Sequence, residues 1–302
     1  MNRYPIYVPS KGRYDNCMTA KFLMEDGVPF RLVVEPQEFD EYASRFGEER
    51  MLVLPWSNLG EGALIAARNW IREHSVSNGD VRHWQVDDNI RCIKRRWKAR
   101  RIPCNSGIAF AAVEDFVDRY ENVAVTGLAY EMFLPTGSKM PPFYLNVHVY
   151  SCTLVLNDMP YTWRTAYNDD TDLCLQVLAG GWCTVLFNAF LQEKMPTMAV
   201  KGGNTPIYQG DGRLKMARSL ERLWPGVVEV RRRWGRPQHA IKHTWRRFDT
   251  LLKLKPGITL DGMESNEYGM RLVQLKEIKS PELQELVRDR VGTLAGGTCL
   301  DK

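Results

Sequence analysis

Two aspartates stand side by side at the end of a run that reads as a strand, VRHWQVDDNI, as Asp87 and Asp88. Carboxylates so placed can hold Mg²⁺ or Mn²⁺, which use few protein acids and take phosphate oxygens for the rest of the shell. An ion there offsets the charge of a departing diphosphate. The same Asp-Asp-Asn also makes an ordinary turn, because these residues favour strand ends. A second cluster, Asp169, Asp170 and Asp172, precedes apolar residues at 173, 175, 177 and 178. Acids at a helix start cap orphan N–H groups and suit the dipole. One of them can also act as general base toward a hydroxyl nucleophile. Ser10-Lys11-Gly12-Arg13 follows an apolar run and offers two cations suited to phosphate. Glu35, closing another such run, can accept hydrogen bonds from a ribose or a base.

Charge is unevenly spread along the 302 residues. The net value is +5, yet residues 194–255 hold 15 Lys and Arg against 4 Asp and Glu. The stretch 91–101, RCIKRRWKARR, adds seven basic residues and no acid. Such runs are often only a solvated face. Two of them, interleaved with Trp97, Trp234 and Trp245, point to a nucleic-acid partner. The candidate contacts are Arg95, Arg96 and Arg100 in the first zone and Arg232, Arg233, Arg236 and Arg246 in the second.

The elements that must position these groups alternate. Residues 5–10, 29–36, 51–55 and 81–90 read as strands. Helical spacing lies between them at 16–27, 37–47 and 63–74. Continuous apolar strands alternating with helices predict an α/β fold, a mostly parallel sheet covered on both faces. Ligands of such sheets bind at the carboxyl ends of the strands. Ser10 to Arg13, Glu35, Gly60 to Gly62 and Asp87 to Asn89 fall at those ends. Further on, 107–120 reads as a helix, 122–130 as a strand, 143–157 as one long or two paired strands, 168–182 as a helix and 184–191 as a strand. A turn-rich stretch from 196 leads to a basic helical segment at 213–223. No apolar run reaches the ~18 residues that span a bilayer, and the N-terminus lacks a signal peptide's apolar core. The seven cysteines show no C-x-x-C spacing. These features predict a soluble, cytoplasmic protein without a zinc site or a disulfide framework.

PIYVPSKGR, VVEP, LVLPWSNLGEGALIAARNW, HWQVDDNI and YNDDTDLCLQVLAGGW, in this order over residues 4–190, resemble a GT-A glycosyltransferase. The resemblance implies a GT-A-like, Rossmann-like sheet, a nucleotide-diphosphate sugar as donor (a UDP-sugar), bound Mn²⁺ or Mg²⁺, and inverting hexosyl transfer. Carried over, Asp88 is the metal ligand and Asp87 its ribose- or metal-contacting neighbour. Asp170, or its neighbour Asp169, is the catalytic base. Ser10, Arg13, Glu35 and Arg68 lie around the nucleotide. The motif reads Asp-Asp-Asn where the family has Asp-x-Asp.

The tail from GGNTPIYQGDGR to HTWRRF is similar to the TET-associated glycosyltransferases of phages. That similarity implies sugar addition to 5-hydroxymethylcytosine in DNA, after a TET-like dioxygenase has oxidised 5-methylcytosine. The target base would leave the duplex and stack on Trp97, Trp163 or Trp245. His239 and His243 could complete a metal shell or touch phosphate. The domains implied are residues 1–195, the nucleotide-sugar-binding catalytic part, and 196–302, a basic helical extension for DNA. Two other readings stand beside this one: a GT-A enzyme for a non-nucleic-acid acceptor, and a nucleic-acid-binding module whose acids are only caps and turns.

Overall fold

A computed structural model describes residues 2–195, 211–233 and 235–260, with 281, 284 and 285 besides. Its first half follows the predicted alternation: β1 (Ile6–Pro9), α1 (Met18–Glu25), β2 (Arg31–Val34), α2 (Phe39–Phe46), β3 (Met51–Val53), α3 (Ala63–Ser77) and β4 (Arg82–Val86). Next come β5 (Ile90–Trp97), β6 (Arg100–Pro103), α4 (Ser106–Val117), β7 (Val123–Tyr130), β8 (Phe143–Leu145), β9 (Cys152–Leu156), α5 (Asp169–Ala179) and β10 (Cys183–Lys194). The described extension holds α6 (Gly212–Leu223), β11 (Val228–Arg233) and β12 (Arg236–Ile241).

One sheet runs in the order β3-β2-β1-β4-β9-β7-β10-β5-β6, with β8 added on β10. Strands β1 to β4 are parallel neighbours. β9 lies reversed between β4 and β7, which restores the original direction for β7 and β10. The sheet is therefore mixed but mostly parallel, in an α/β fold. Alternate side chains of β1 and β2 enter different cores. Ile6, Val8, Leu32 and Val34 pack beneath α1, α2 and α4, while Tyr7 and Val33 pack with Ala67 and Ile71 of α3. Burial on both faces explains why these strands read as unbroken apolar runs.

Three elements depart from the sequence reading. Residues 143–157 form neither one strand nor a pair. β8 joins β10 and β9 inserts between β4 and β7, and Asn146 and Ser151 take left-handed φ values of 53° and 66° between them. β9 can approach β7 closely because position 127 is glycine: a Cβ there would lie 2.2 Å from the Cys152 carbonyl oxygen. The basic block 91–101 is the β5–β6 hairpin, turned at Lys98 and Ala99, both left-handed. The extension is not wholly helical, since β11 and β12 pair as a second hairpin. It packs on the body through Leu175 of α5 with Leu220, Val227 and Val228. Among the described residues no helix is long and apolar enough to cross a membrane.

Candidate active site

The carboxyl ends of β1, β2 and β4 meet as expected, and the turn after β4 is held from α1. The Thr19 hydroxyl donates to the Asp87 carbonyl at 2.5 Å and accepts from the Ile90 N–H at 3.1 Å. Val86 ends β4 and the chain turns at Asp88 and Asn89, and the side chains of Asp87 and Asp88 diverge to different partners. Asp88 turns toward the loop after β1 and is 5% exposed. One of its oxygens pairs with Arg13 and the other accepts from Ser10 Oγ at 2.7 Å. Because the Ser10 proton goes to Asp88, the buried Tyr42 hydroxyl must donate to Ser10 Oγ at 2.7 Å while accepting from the Arg13 N–H at 3.0 Å. Burial pushes the Asp88 carboxyl upward against the pull of Arg13.

Asp87 turns the other way. Its Oδ2 lies 2.7 Å from Lys194 Nζ, and its Oδ1 lies 3.4 Å from Arg68 Nη2. Burial opposes the charge, yet Lys194 and Arg68 outweigh it and hold this carboxyl down at about 2. Arg68 is the centre of the site. It sits one turn into α3, behind the loop at Gly60 and Gly62, and is 3% exposed. Its Nε lies 2.8 Å from Asp169 Oδ2, and its Nη2 lies 3.6 Å from Asp170 Oδ1. Asp169, Asp170 and Asp87 overcome the burial cost and keep the guanidinium charged. One cation thus ties the tip of β4 to the start of α5.

The three acids of α5 divide. Asp169 and Asp170 face Arg68, and burial raises both carboxyls above their ordinary range, that of Asp170 further through its neighbour Asp169. A raised carboxyl in a cleft is a poised proton acceptor. Asp172 is fully buried and structural. It accepts from Arg164 Nε and Nη2, both at 2.9 Å, from Gln176 at 2.8 Å, and from the Trp224 indole at 2.7 Å.

Glu35 reaches the cleft already saturated. Lys11 Nζ donates to both of its oxygens at 2.7 and 2.8 Å, with the Asn58 N–H at 2.9 Å and Gln37 at 2.5 Å. Burial works upward on this carboxyl, and Lys11 with the other donors holds it below its usual range. Its direct role is therefore to fix Lys11 and the Asn58 loop. Tyr42, Asn58 and Lys194 escaped sequence reasoning. Lys194 had a usable signal, since it closes β10 at the same carboxyl edge as Asp87.

Both basic zones present cations to solvent. On the β5–β6 hairpin the Arg95 guanidinium lies 5.3 Å from the centre of the half-exposed Trp97 ring, with Arg100 directly opposite Trp97. Arg96 is instead tied to the Ser138 carbonyl. Arg232, Arg233 and Arg236 lie exposed on the β11–β12 hairpin, and Arg246 is exposed in the turn His243–Phe248. Of the candidate stacking rings, Trp163 is buried and Trp245 packs partly into the cluster beside α6. Neither is placed to receive a base. Trp234 lies outside the described residues.

A model of the family described as TET-Associated Glycosyltransferase matches residues 4–203. The chain belongs to that family. The family's description is that of a glycosyltransferase. No curated protein matches the sequence. Among solved structures, the mannose-1-phosphate geranyltransferase from Thermus thermophilus is similar at 13% identity and a TM-score of 0.29. The match covers 62% of this chain and 58% of that one, so less than two thirds of that enzyme's length is spanned.

The expected Mn²⁺ or Mg²⁺ needs carboxylate oxygens turned toward one point. In this glycosyltransferase Asp87 and Asp88 point apart, and all four of their oxygens meet Arg68, Lys194, Arg13 or Ser10. Among the described residues no group of three or more His, Cys, Asp or Glu side chains is arranged to hold an ion, and His239 and His243 join none. The two acids as arranged do not fit a shared metal.

Proposed function

We propose that this TET-associated glycosyltransferase moves a hexosyl group from a UDP-sugar to the hydroxymethyl group of 5-hydroxymethylcytosine in DNA, with inversion at the anomeric carbon. The reading is carried by the Arg68 guanidinium, which joins Asp87 on the donor side to Asp169 and Asp170 at the start of α5. Donor-binding edge and candidate base thereby belong to one charged cluster.

A primary alcohol is a weak nucleophile until a base takes its proton. Asp170 fills that role, with Asp169 its neighbour and alternate. The hydroxymethyl oxygen attacks the anomeric carbon from the side opposite the diphosphate while its proton passes to the Asp170 carboxylate. The bond from that carbon to the phosphate oxygen breaks, and its electron pair leaves with UDP. Arg13, in the loop after β1, and Lys194, the last residue of β10, meet the charge that develops on the leaving group. Ser10 and Tyr42 orient Arg13 and Asp88, and Glu35 holds Lys11 toward the nucleotide. A TET-like dioxygenase acting on 5-methylcytosine supplies the acceptor. The two basic hairpins give the polyanion its track.

Incubating the protein with hydroxymethylated DNA and a panel of nucleotide sugars, then weighing the released nucleosides, tests the assignment. A hexose-sized gain on 5-hydroxymethylcytosine is expected. Transfer only to non-nucleic-acid alcohols would overturn it.

A further inference from the structure

Beside the carboxylate cluster lies a cavity of about 470 Å³, lined by Arg91, Arg101, Tyr130, Glu131, Glu193 and Lys194 among others. Lys194 belongs both to this cavity and to the site, because its Nζ also lies 2.7 Å from Asp87. Successive residues of a regular strand would face opposite sides, but the register of β10 against β5 slips between Glu193 and Lys194. Such a bulge re-aims side chains, and here both line the cavity. The walls are braced: Lys94 lies 3.0 Å from Glu131 and 2.5 Å from Glu193, and Arg101 donates to the Glu131 and Leu134 carbonyls at 2.7 and 3.0 Å.

The cavity's lining includes Met132, and Phe133 follows it in the chain; both side chains face solvent. Phe133 is 60% exposed and Met132 57%, in the turn Glu131–Phe133 that follows β7. The Phe133 ring stands edge-to-face at 5.5 Å with Tyr130, which lines the cavity, so it sits beside the cavity rather than in its wall. On the other side is the β5–β6 hairpin, whose turn is fixed by the Gly137 N–H donating to the Ala99 carbonyl at 2.9 Å. Exposed apolar side chains next to a stripe of arginines suit one class of partner, a duplex whose phosphates meet the cations while its base steps meet the wedge.

We propose that this cavity receives the acceptor nucleotide turned out of a DNA duplex, and that Phe133 enters the stack to fill the space left behind. The inference rests on the transfer to DNA proposed above. It adds where the base goes and which side chain replaces it. The carboxylates of Glu131 and Glu193 suit the exocyclic amino group of a cytosine. That amino group neighbours the ring carbon bearing the hydroxymethyl. A base held at Glu193 therefore presents its hydroxymethyl toward Lys194 and the acids beyond it.

Extrusion costs energy in a duplex and little in a single strand, which gives the test its contrast. Phe133→Ala, an exposed position that leaves the core untouched, is expected to lower kcat/KM on duplex acceptor by about tenfold and on the same strand unpaired by less than about twofold. A duplex with 2-aminopurine at the target position should brighten on binding the intact protein, without donor present, and respond far less with Phe133→Ala. Tyr130→Trp, which narrows the cavity, should weaken transfer to both forms while UDP binding is retained. Equal effects of Phe133→Ala on duplex and single strand, or an unchanged 2-aminopurine response, would overturn the wedge. Absence of transfer to any DNA would instead sink the proposed function, and the fluorescence measurement would still decide whether the base is extruded.

Discussion

Arg68 Nε lies 2.8 Å from Asp169 Oδ2, joining the second turn of α3 to the first turn of α5 across roughly a hundred residues of sequence. Without that guanidinium, three carboxylates would face one another in a buried cleft.

Arg68→Met is therefore expected to destabilise the fold by about 3–5 kcal/mol at neutral pH, as removal of one partner from a buried ion cluster does. The loss should shrink in acid, where Asp169 and Asp170 can take up protons. Urea denaturation of both proteins at pH 5 and pH 8 checks this. The same difference at both pH values would mean that Arg68 does not neutralise these acids.

Asp170→Asn should bind UDP-sugar normally and slow the chemical step by on the order of 10²–10⁴. Asp169→Asn is the control at the neighbouring position. Single-turnover rates with saturating donor distinguish the two, and normal rates in both would leave the pair as helix-terminal acids alone.

The raised Asp170 carboxyl also sets a sign for pH. As a base it must be ionised, so turnover should climb with pH through a point above the ordinary carboxylate range. Stability should move oppositely. A folded-state value above the unfolded one means that the native protein binds more protons, so this contribution is present in acid and is lost as pH rises through the folded value. Asp170→Asn should flatten the stability profile and melt higher than the parent near pH 8. Melting curves from pH 5 to 9 give the answer.

Because Arg13, Arg68, Lys194 and the Ser10 hydroxyl occupy the oxygens of Asp87 and Asp88, chelation of divalent ions is expected to leave transfer within a few-fold of its starting rate. Activity across a titration of EDTA and then Mn²⁺ decides this. An absolute requirement for Mn²⁺ would mean that one of these acids exchanges its cation for the ion.

On the DNA side, affinity for duplex should fall with a log–log salt slope of about −0.9 per phosphate contact. Changing the exposed Arg232 and Arg233 to Ala should flatten that slope by roughly one to two units, equally for all sequences. Hydrolysis of the donor should survive. An identical slope would make these two arginines solvated surface.

Residues 4–190 carried most of the sheet in their order alone, because two-sided burial writes β1 and β2 as apolar runs and the site residues follow the strands at their ends. Chain order and pattern thus determined the α/β class, the strand-end cleft, the acids at 87, 88, 169 and 170, and the two basic zones. Pairing between distant strands was not legible. β8 and β9 are close in sequence yet join different neighbours, and the block at 91–101 folds as a hairpin although its charge density reads as surface. Direction was not legible either. Only the folded chain turns Asp87 and Asp88 to opposite sides, gives Asp172 to Arg164 and Trp224, and brings Lys194 to Asp87 from 107 residues away. The physical reason is that periodicity records which side of an element is dry, a local property. Which charge neutralises which carboxylate depends on distances that close only when the whole sheet has assembled.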